Sequence, residues 1–430
     1  MATTYQPSLS SARGWNRPGR RSAALGSAAL GSAVLLMLVG CASLSPDEGE
    51  ALEGKVDEAV IAYYLGPGDV TGGTDRGVMG LADAEGATAS MQTQAVERGV
   101  VLWTPDGVHF SDSKYDYVVA DTVERIESSK ASFQNAGVYL EQSDTVVAVY
   151  NDAMASGGGY TDHLVTTRDM KSDLQVVEGD FSSIAVCRNQ VFGISETPGR
   201  NLRRRPATAG RQSALLARLV GPEDVGLEAI SWSSRKDQGW MVLDDHMPCN
   251  DGTIHALASR DGALDDKSDP GHPSVLRWNT RTGELAFTRL TNSAGEPIDV
   301  SQAHGAGWSD GDELWPEFDA NSMSDATHLQ WYTPSGKVYS TDVSTGVTRV
   351  EFDTGVAAAD HVTVEVQFTP DSLYLLAQES EDTLILSEFD RTNGERVSRL
   401  EIKDAASARS MGSKFDGGDL LLRSFAVKPD

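Results

Sequence analysis

VTVEVQFTPDSLYLLAQESEDTLILSEFDRTNGERVSRLEI, residues 362–402, reads as four short strands joined by turns. Val362, Val364, Val366 and Phe368 alternate with polar residues, the period of a half-buried strand. Thr-Pro-Asp-Ser at 369–372 turns the chain, because Pro370 presets φ and Asp371 can hydrogen-bond its own backbone. Residues 373–376 return as a second strand, 383–389 form a third and 396–402 a fourth. Between the last two, Gly394 can take the positive φ that a bulged hairpin requires. A four-stranded antiparallel unit of ~40 residues is the size of one propeller blade. The expectation is therefore an all-β chain folded as a β-propeller.

The same hairpin plan recurs upstream. Residues 102–110 turn at Pro105-Asp106-Gly107, 139–150 at Ser143-Asp144, and 184–194 at Arg188-Asn189. Residues 230–243 turn across 234–239, 308–315 at Asp310-Gly311, and 415–422 across a Gly pair. Trp103, Tyr139, Val186, Trp232, Trp308, Phe368 and Phe415 mark seven such hairpins, which predicts seven four-stranded blades, with six or eight open. An unpaired edge strand would expose a ladder of unmet hydrogen bonds, so an N-terminal strand is expected to close the ring. Residues 58–64 could supply it; 100–110 could instead, and the count would then be six. Residues 66–97 are rich in Gly, Ala, Thr and Asp without periodicity and read as an irregular loop.

The chain has 430 residues with 36 Lys+Arg against 63 Asp+Glu, a net charge of −27. A surface this acidic repels nucleic acid at long range, which argues against a DNA or RNA partner. Arg13, Arg17, Arg20 and Arg21 precede Cys41 with no acid among them, and residues 22–38 form an Ala/Gly/Leu run. That order is an export signal, assigned to residues 1–40. Leu38-Val39-Gly40-Cys41 resembles a bacterial lipobox. The resemblance implies a diacylglyceryl group on Cys41, an acidic tether at 41–57, a propeller domain at 58–430, and an address on the extracytoplasmic face of the cell membrane. Arg20-Arg21 resembles a twin-arginine signal, although Ala23 and Ala24 replace the larger apolar residues expected there. Twenty-six Arg against ten Lys, with abundant Ala and Gly, is similar to an actinobacterial-type protein.

Cys187 and Cys249 remain, and an even pair in an exported chain reads as a disulfide. The alternative is a metal site of Cys249 with His246 and His255, whose spacing fits no zinc pattern.

The turns at 279–283, 342–346 and 390–394 all fit [DN]-x-x-[TN]-G. An Asx side chain caps each turn and Gly takes its left-handed position. With Phe368-Thr-Pro-Asp371, these units resemble the YVTN, PQQ-binding-like and WD40-like propeller repeats, well over 226–425 and poorly over 98–225. Quinoprotein repeats carry a Trp after the turn; here Phe287, Val350 and Ser398 stand there, which weighs against a quinone.

The chain contains no Walker loop, GxGxxG or HExxH, no GxSxG in its mature part, and no DxDxDG calcium loop. Asp244-Asp245-His246 is the densest polar cluster after a strand and reads as a solvated blade loop, with a catalytic or metal role as its alternative. Two features could form a binding surface. Arg203, Arg204 and Arg205 lie within a cluster that also holds Arg200, Arg211 and Arg218, suited to anionic headgroups or envelope polymers. Trp308 and Trp315 flank Asp310 and Asp312, suited to sugars or cationic groups. Solvated-loop and packing roles are the plainer readings of both. The expectation is a lipid-anchored binding or scaffolding module with a protein or envelope-glycan ligand and no cofactor. A propeller enzyme is the alternative: a glycan hydrolase or lyase, or a quinone- or calcium-dependent oxidoreductase. Polar groups converging at the central channel would favour the enzyme; a channel of Ser, Thr and aliphatic residues would favour the binder.

Overall fold

The computed structural model describes residues 51–67, 76–154, 159–195, 214–221, 225–233, 240–242, 245–260, 272–298, 316–380, 382–407 and 420–429. They form seven blades in a ring, a β-propeller. The chain begins with β1 (Ala59–Pro67), β2 (Arg76–Asp83) and β3 (Thr88–Gln94). The second blade is β4 (Leu102–Thr104), β5 (Gly107–Ser111), β6 (Tyr115–Val119) and β7 (Val123–Glu127). The third is β8 (Gln134–Leu140), β9 (Thr145–Met154), β10 (Tyr160–Arg168) and β11 (Lys171–Glu178). The fourth is β12 (Ser183–Cys187), β13 (Gln190–Ser195), β14 (Leu215–Val220) and β15 (Val225–Trp232).

In the fifth blade the inner edge is split. β16 (Trp240–Val242) and β18 (Cys249–Asn250) pair with β19 (Thr253–Arg260), which is followed by β20 (His272–Asn279) and β21 (Leu285–Arg289). Between β16 and β18 the chain leaves the blade, and β17 (His246–Met247) pairs in parallel with β12 of the fourth. The sixth blade has β22 (His328–Tyr332), β23 (Lys337–Asp342) and β24 (Thr348–Asp353), with Glu317 bridging Tyr332 on the inner side. The seventh is the stretch that opened the sequence reading: β25 (Thr363–Phe368), β26 (Ser372–Ser380), β27 (Thr383–Asp390) and β28 (Arg396–Lys403).

β29 (Leu420–Val427) closes the ring by pairing with β1, so the first blade has the order β29-β1-β2-β3. Tyr63 faces Phe425 and Ile61 faces Val427 in that ladder. One C-terminal strand and three N-terminal ones thus share a sheet, and β1 has no exposed ladder.

The repeated turns do two jobs. Asn279, Asp342 and Asp390 each accept two backbone N–H bonds from the residues two and three further on, at 2.8–3.1 Å. Gly346 and Gly394 have φ of 74° and 72°. A Cβ on Gly394 would stand 2.3 Å from Phe352, and one on Gly346 would stand 2.0 Å from the Arg289 carbonyl oxygen. Phe352 and Arg289 lie on the last strands of the preceding blades, so the turn is also where one blade seats on the next. Glycine is required there by contact as well as by φ.

Several expectations are corrected. Of residues 66–97, expected as an irregular loop, 68–75 lie outside the described residues and 76–94 carry β2 and β3, whose buried faces use Val78, Met79 and Met91 instead of a long apolar alternation. Residues 100–110 do not close the ring; they are β4 and β5 of a separate blade. Trp232 does not open a blade but ends β15, the outer strand of the fourth. The tether does not reach residue 57, since Leu52 and Val56 are buried in the apolar cluster between the first and second blades. Lys428 Nζ donates to the carbonyl oxygens of Val56 and Asp57, and the Gly54 amide donates to the Asp121 carbonyl.

Candidate functional site

The inner strands enclose a channel of ≈ 830 Å³ to which every blade contributes. Val100, Val138, Val186 and Val366 give it aliphatic walls. Polar groups line it throughout, and among them are Arg98 ahead of β4, Asp245 and His246 at β17, Glu365 early in β25, and Arg423 in β29.

Each of these is held by a nameable local cause. The Glu97 amide donates to the Ser132 carbonyl, and Glu97 accepts from the Gln134 amide. Beyond Arg98 the Val100 amide donates to Gln134 Oε1, and the Val101 amide to Ser424 Oγ. Gly99 is pressed on the ring of Tyr64, where a Cβ would fall 2.6 Å from a ring carbon. With both flanks pinned, Arg98 is left in the left-handed region at φ 56°, its guanidinium 5.4 Å from the centre of the Phe133 ring. A bulky residue held there stores strain, and such strain persists only where its surroundings over-determine it.

Asp245 and His246 ride on the excursion between β16 and β18. The parallel ladder of β17 with β12 and the disulfide Cys187–Cys249, with Cα atoms 5.5 Å apart, fix its end against the fourth blade. His246 Nε2 lies 2.9 Å from the Gly137 carbonyl oxygen. Asp245 Oδ2 stands 3.8 Å from Arg98 Nη1, with both side chains more than a third exposed. Arg423 is anchored by its Nη2, which donates to the Pro67 carbonyl at 2.6 Å.

Burial pushes the Glu365 carboxyl up to about 8; Arg423 opposes the rise, Asp245 adds to it and Arg98 opposes it. Partial loss of water inside the channel also raises Asp245, against the pull of Arg98 and His246. It lowers Arg423, against the Glu365 carboxylate. Two guanidinium and two carboxyl groups thus influence one another across the channel although they come from four separate stretches of chain.

Further along, Asp319 accepts hydrogen bonds from the Phe368 and Asn321 amides, both at 2.7 Å. It ties the sixth blade to the seventh. Arg391 is buried beneath the Phe368 ring and donates to the carbonyls of Asn321 and Thr369 at 2.8 Å. These two are structural ties between blades.

Of the residues singled out from sequence, Cys187 and Cys249 are joined as the disulfide, so Cys249 is not a metal ligand with His246 and His255. Among the described residues no group of three or more His, Cys, Asp or Glu is arranged as a metal site. Cys41, Trp308, Asp310, Asp312, Trp315, Arg203, Arg204 and Arg205 lie outside the described residues. Arg218, from the same basic cluster, sits on β14 and pairs with Glu228 at 2.6 Å. Asp245 and His246 are not in a solvated loop but in the channel wall. Arg98, Glu365 and Arg423 were missed. The available signal was a lone charge in an apolar strand, as in LLLRSFAV and VTVEVQF.

No protein-family model matches the chain, and no curated protein matches it. Among solved structures the chain is similar to the β-propeller domain of the Trilobed protease from Pyrococcus furiosus, with 11% identity and a TM-score of 0.44, over 83% of this chain and 96% of that one. It is also similar to dihydro-heme d1 dehydrogenase NirN in complex with DHE, at 13% identity and a TM-score of 0.41, over 81% and 74% of the two chains. A putative 6-phosphogluconolactonase from Bacteroides fragilis is similar at 14% identity and a TM-score of 0.38, over 80% and 82%.

Proposed function

We propose that this protein is a binding module displayed outside the cytoplasm on a lipid at Cys41, and that its ligand seats in the central channel instead of on the rim of the disc. The observation that carries the reading is the channel itself. It has the size of a ligand site, aliphatic walls, and ionisable groups of both signs in its lining. The lipobox-like run ending at Cys41 and the basic leader support the anchored address. An anchored module of this kind works on material of the envelope, a protein segment or a glycan end small enough to enter.

The test is crosslinking in intact cells from a photoreactive residue placed at Gln142, which lines the channel, or at Val397, which is exposed on β28. Adducts from the channel position alone support the reading. Adducts from the rim position alone overturn it. Changing Cys41→Ser should release the protein from membranes, and retention without detergent would contradict the anchor.

The second reading, a propeller enzyme, is favoured by the same convergence of Asp245, His246, Glu365 and the two arginines in one channel. It predicts turnover of a bound envelope glycan that is abolished by His246→Ala. Binding without turnover supports the module.

A further inference from the structure

We propose that the side chains of Lys130 and Asp116 condense into an amide, a covalent bond between Lys130 Nζ and Asp116 Cγ that ties the linker between the second and third blades to β6. The site lies away from the ligand chemistry of the channel and does not rest on the channel reading.

Asp116 is the second residue of β6, and Lys130 follows β7 on the way to the third blade. Lys130 Nζ stands 2.6 Å from Asp116 Oδ1, with the lysine side chain fully buried and that of the aspartate 7% exposed. The centre of the Tyr150 ring lies 5.5 Å from the same nitrogen. Keeping two opposite charges out of water carries a desolvation penalty that their attraction offsets only in part. Burial lowers the Lys130 ammonium, against the pull of Asp116 and Asp112, and so favours the free amine that a nucleophile must be. Asp112 does not depend on this ammonium. It accepts from the Tyr117 hydroxyl at 2.7 Å and from the Lys114 and Tyr115 amides at 2.7 and 2.8 Å. An amide therefore removes one buried charge of each sign and leaves Asp112 satisfied.

The Asp116 carboxyl is arranged as the electrophile. Ser111 Oγ donates to its Oδ1 at 2.7 Å, and Ser172 Oγ on β11 donates to its Oδ2 at 2.8 Å. The one proton of Ser172 is committed there, so Thr167 Oγ1, 2.8 Å away, donates to Ser172 in turn. Donors on both oxygens hold the negative charge that builds on them as nitrogen adds to Cγ. All atoms come from the pair itself. One ammonium proton passes to Oδ1, and the freed lone pair bonds to Cγ. A second proton joins the same oxygen, the Cγ–Oδ1 bond breaks, and water leaves; the third proton stays as the amide N–H. A cavity of ≈ 20 Å³ adjoins the carboxyl, with His109, Ser111, Gln134 and Thr167 in its lining. That is room for about one water, the size of the leaving molecule.

The test is peptide mapping of the full mature chain, reduced and unfolded in denaturant, where an ion pair dissociates and an amide does not. Cleavage after glutamates leaves Asp116 in residues 98–124 and Lys130 in residues 128–141, with 125–127 between them. The expected product is a branched pair of these two peptides, lighter by one water than their sum. The intact reduced chain should likewise be lighter by one water than its sequence and lipid require. Lys130→Met should return the two peptides separately; where that variant fails to accumulate, the map of the parent chain decides alone. Recovery of 98–124 and 128–141 from the parent as separate peptides, with no branched pair, would overturn the proposal.

Discussion

Arg98 and Asp245 stand 3.8 Å apart in the channel lining, one carried ahead of the second blade and the other on the excursion of the fifth. Neither is a core residue. Arg98 holds its position at the cost of a left-handed backbone, and Asp245 owes its own to a strand that abandons its blade and pairs with the neighbour.

The first prediction follows from that backbone. Arg98→Gly removes the guanidinium and allows φ 56° without a Cβ clash. Relief of a left-handed non-glycine residue is worth about 1 kcal/mol, offset in part by the freedom glycine gains when unfolded. Denaturant unfolding should show the variant at least as stable as the parent, while adducts from the channel position are lost. A variant clearly less stable would mean that Arg98 is there for the fold.

The disulfide is the second test. Cys187 ends β12 and Cys249 begins β18, 62 residues apart, so the bond staples two blades beside the channel. Replacing both with Ser should cost ~2–4 kcal/mol in the chain-entropy account. Because the bond also fixes the segment holding Asp245 and His246, ligand affinity should fall more steeply than it does in a variant equally destabilised elsewhere. Equal losses in the two variants would show that the staple serves stability alone.

A third prediction separates backbone strain from contact. Gly295 has φ 78° with open space around the missing Cβ, whereas Gly394 has φ 72° with Phe352 at 2.3 Å. Gly295→Ala should cost about 1 kcal/mol from φ alone. Gly394→Ala should cost that plus a further ~1–3 kcal/mol of overpacking. Similar midpoints for the two in urea would contradict the seating of the 390–394 turn on the sixth blade.

The fourth concerns pH. Asp162 is fully buried on β10, accepts the Phe181 amide at 2.6 Å through Oδ2, and has no partner for Oδ1 among the described residues. Burial pushes its carboxyl up to about 8; the Phe181 hydrogen bond opposes the rise, and Asp180 and Asp152 add to it. The folded state therefore keeps a proton that the unfolded chain releases near pH 4. Its stabilising contribution is complete below about pH 4 and is lost as pH rises through 8. Asp162→Asn should flatten this slope and be the more stable form at pH 9, by an amount on the order of a few kcal/mol. Parallel stability curves for variant and parent would contradict the assignment.

How much of this was legible in the sequence depended on whether the signal was local. The 362–402 stretch gave its four strands to within a few residues, because alternation, Pro370 and Gly394 act over short distances. The count of seven was right, but not each of its markers: Trp232 ends β15, and the 415–422 hairpin was counted as a separate blade although β29 belongs to the first, which had gone uncounted. The first blade was hidden, since β2 and β3 pack glycines and methionines against Tyr63 and Tyr64 in place of a β-branched alternation. The channel was hidden for another reason. Arg98, Asp245, Glu365 and Arg423 are each ordinary in their own stretch, and only ring closure brings them together. Asp245-His246 stood out as a polar cluster, but its density could not say which way β17 would turn.

The most direct test of the channel as the ligand site is hydrogen exchange of the full mature chain with and without an envelope extract. Protection should appear at residues 97–101, 245–247, 364–367 and 420–427, the segments that carry Arg98, Asp245, Glu365 and Arg423 in the channel wall. Protection confined to the outer strands β11, β24 and β28, with those four segments unchanged, would contradict it.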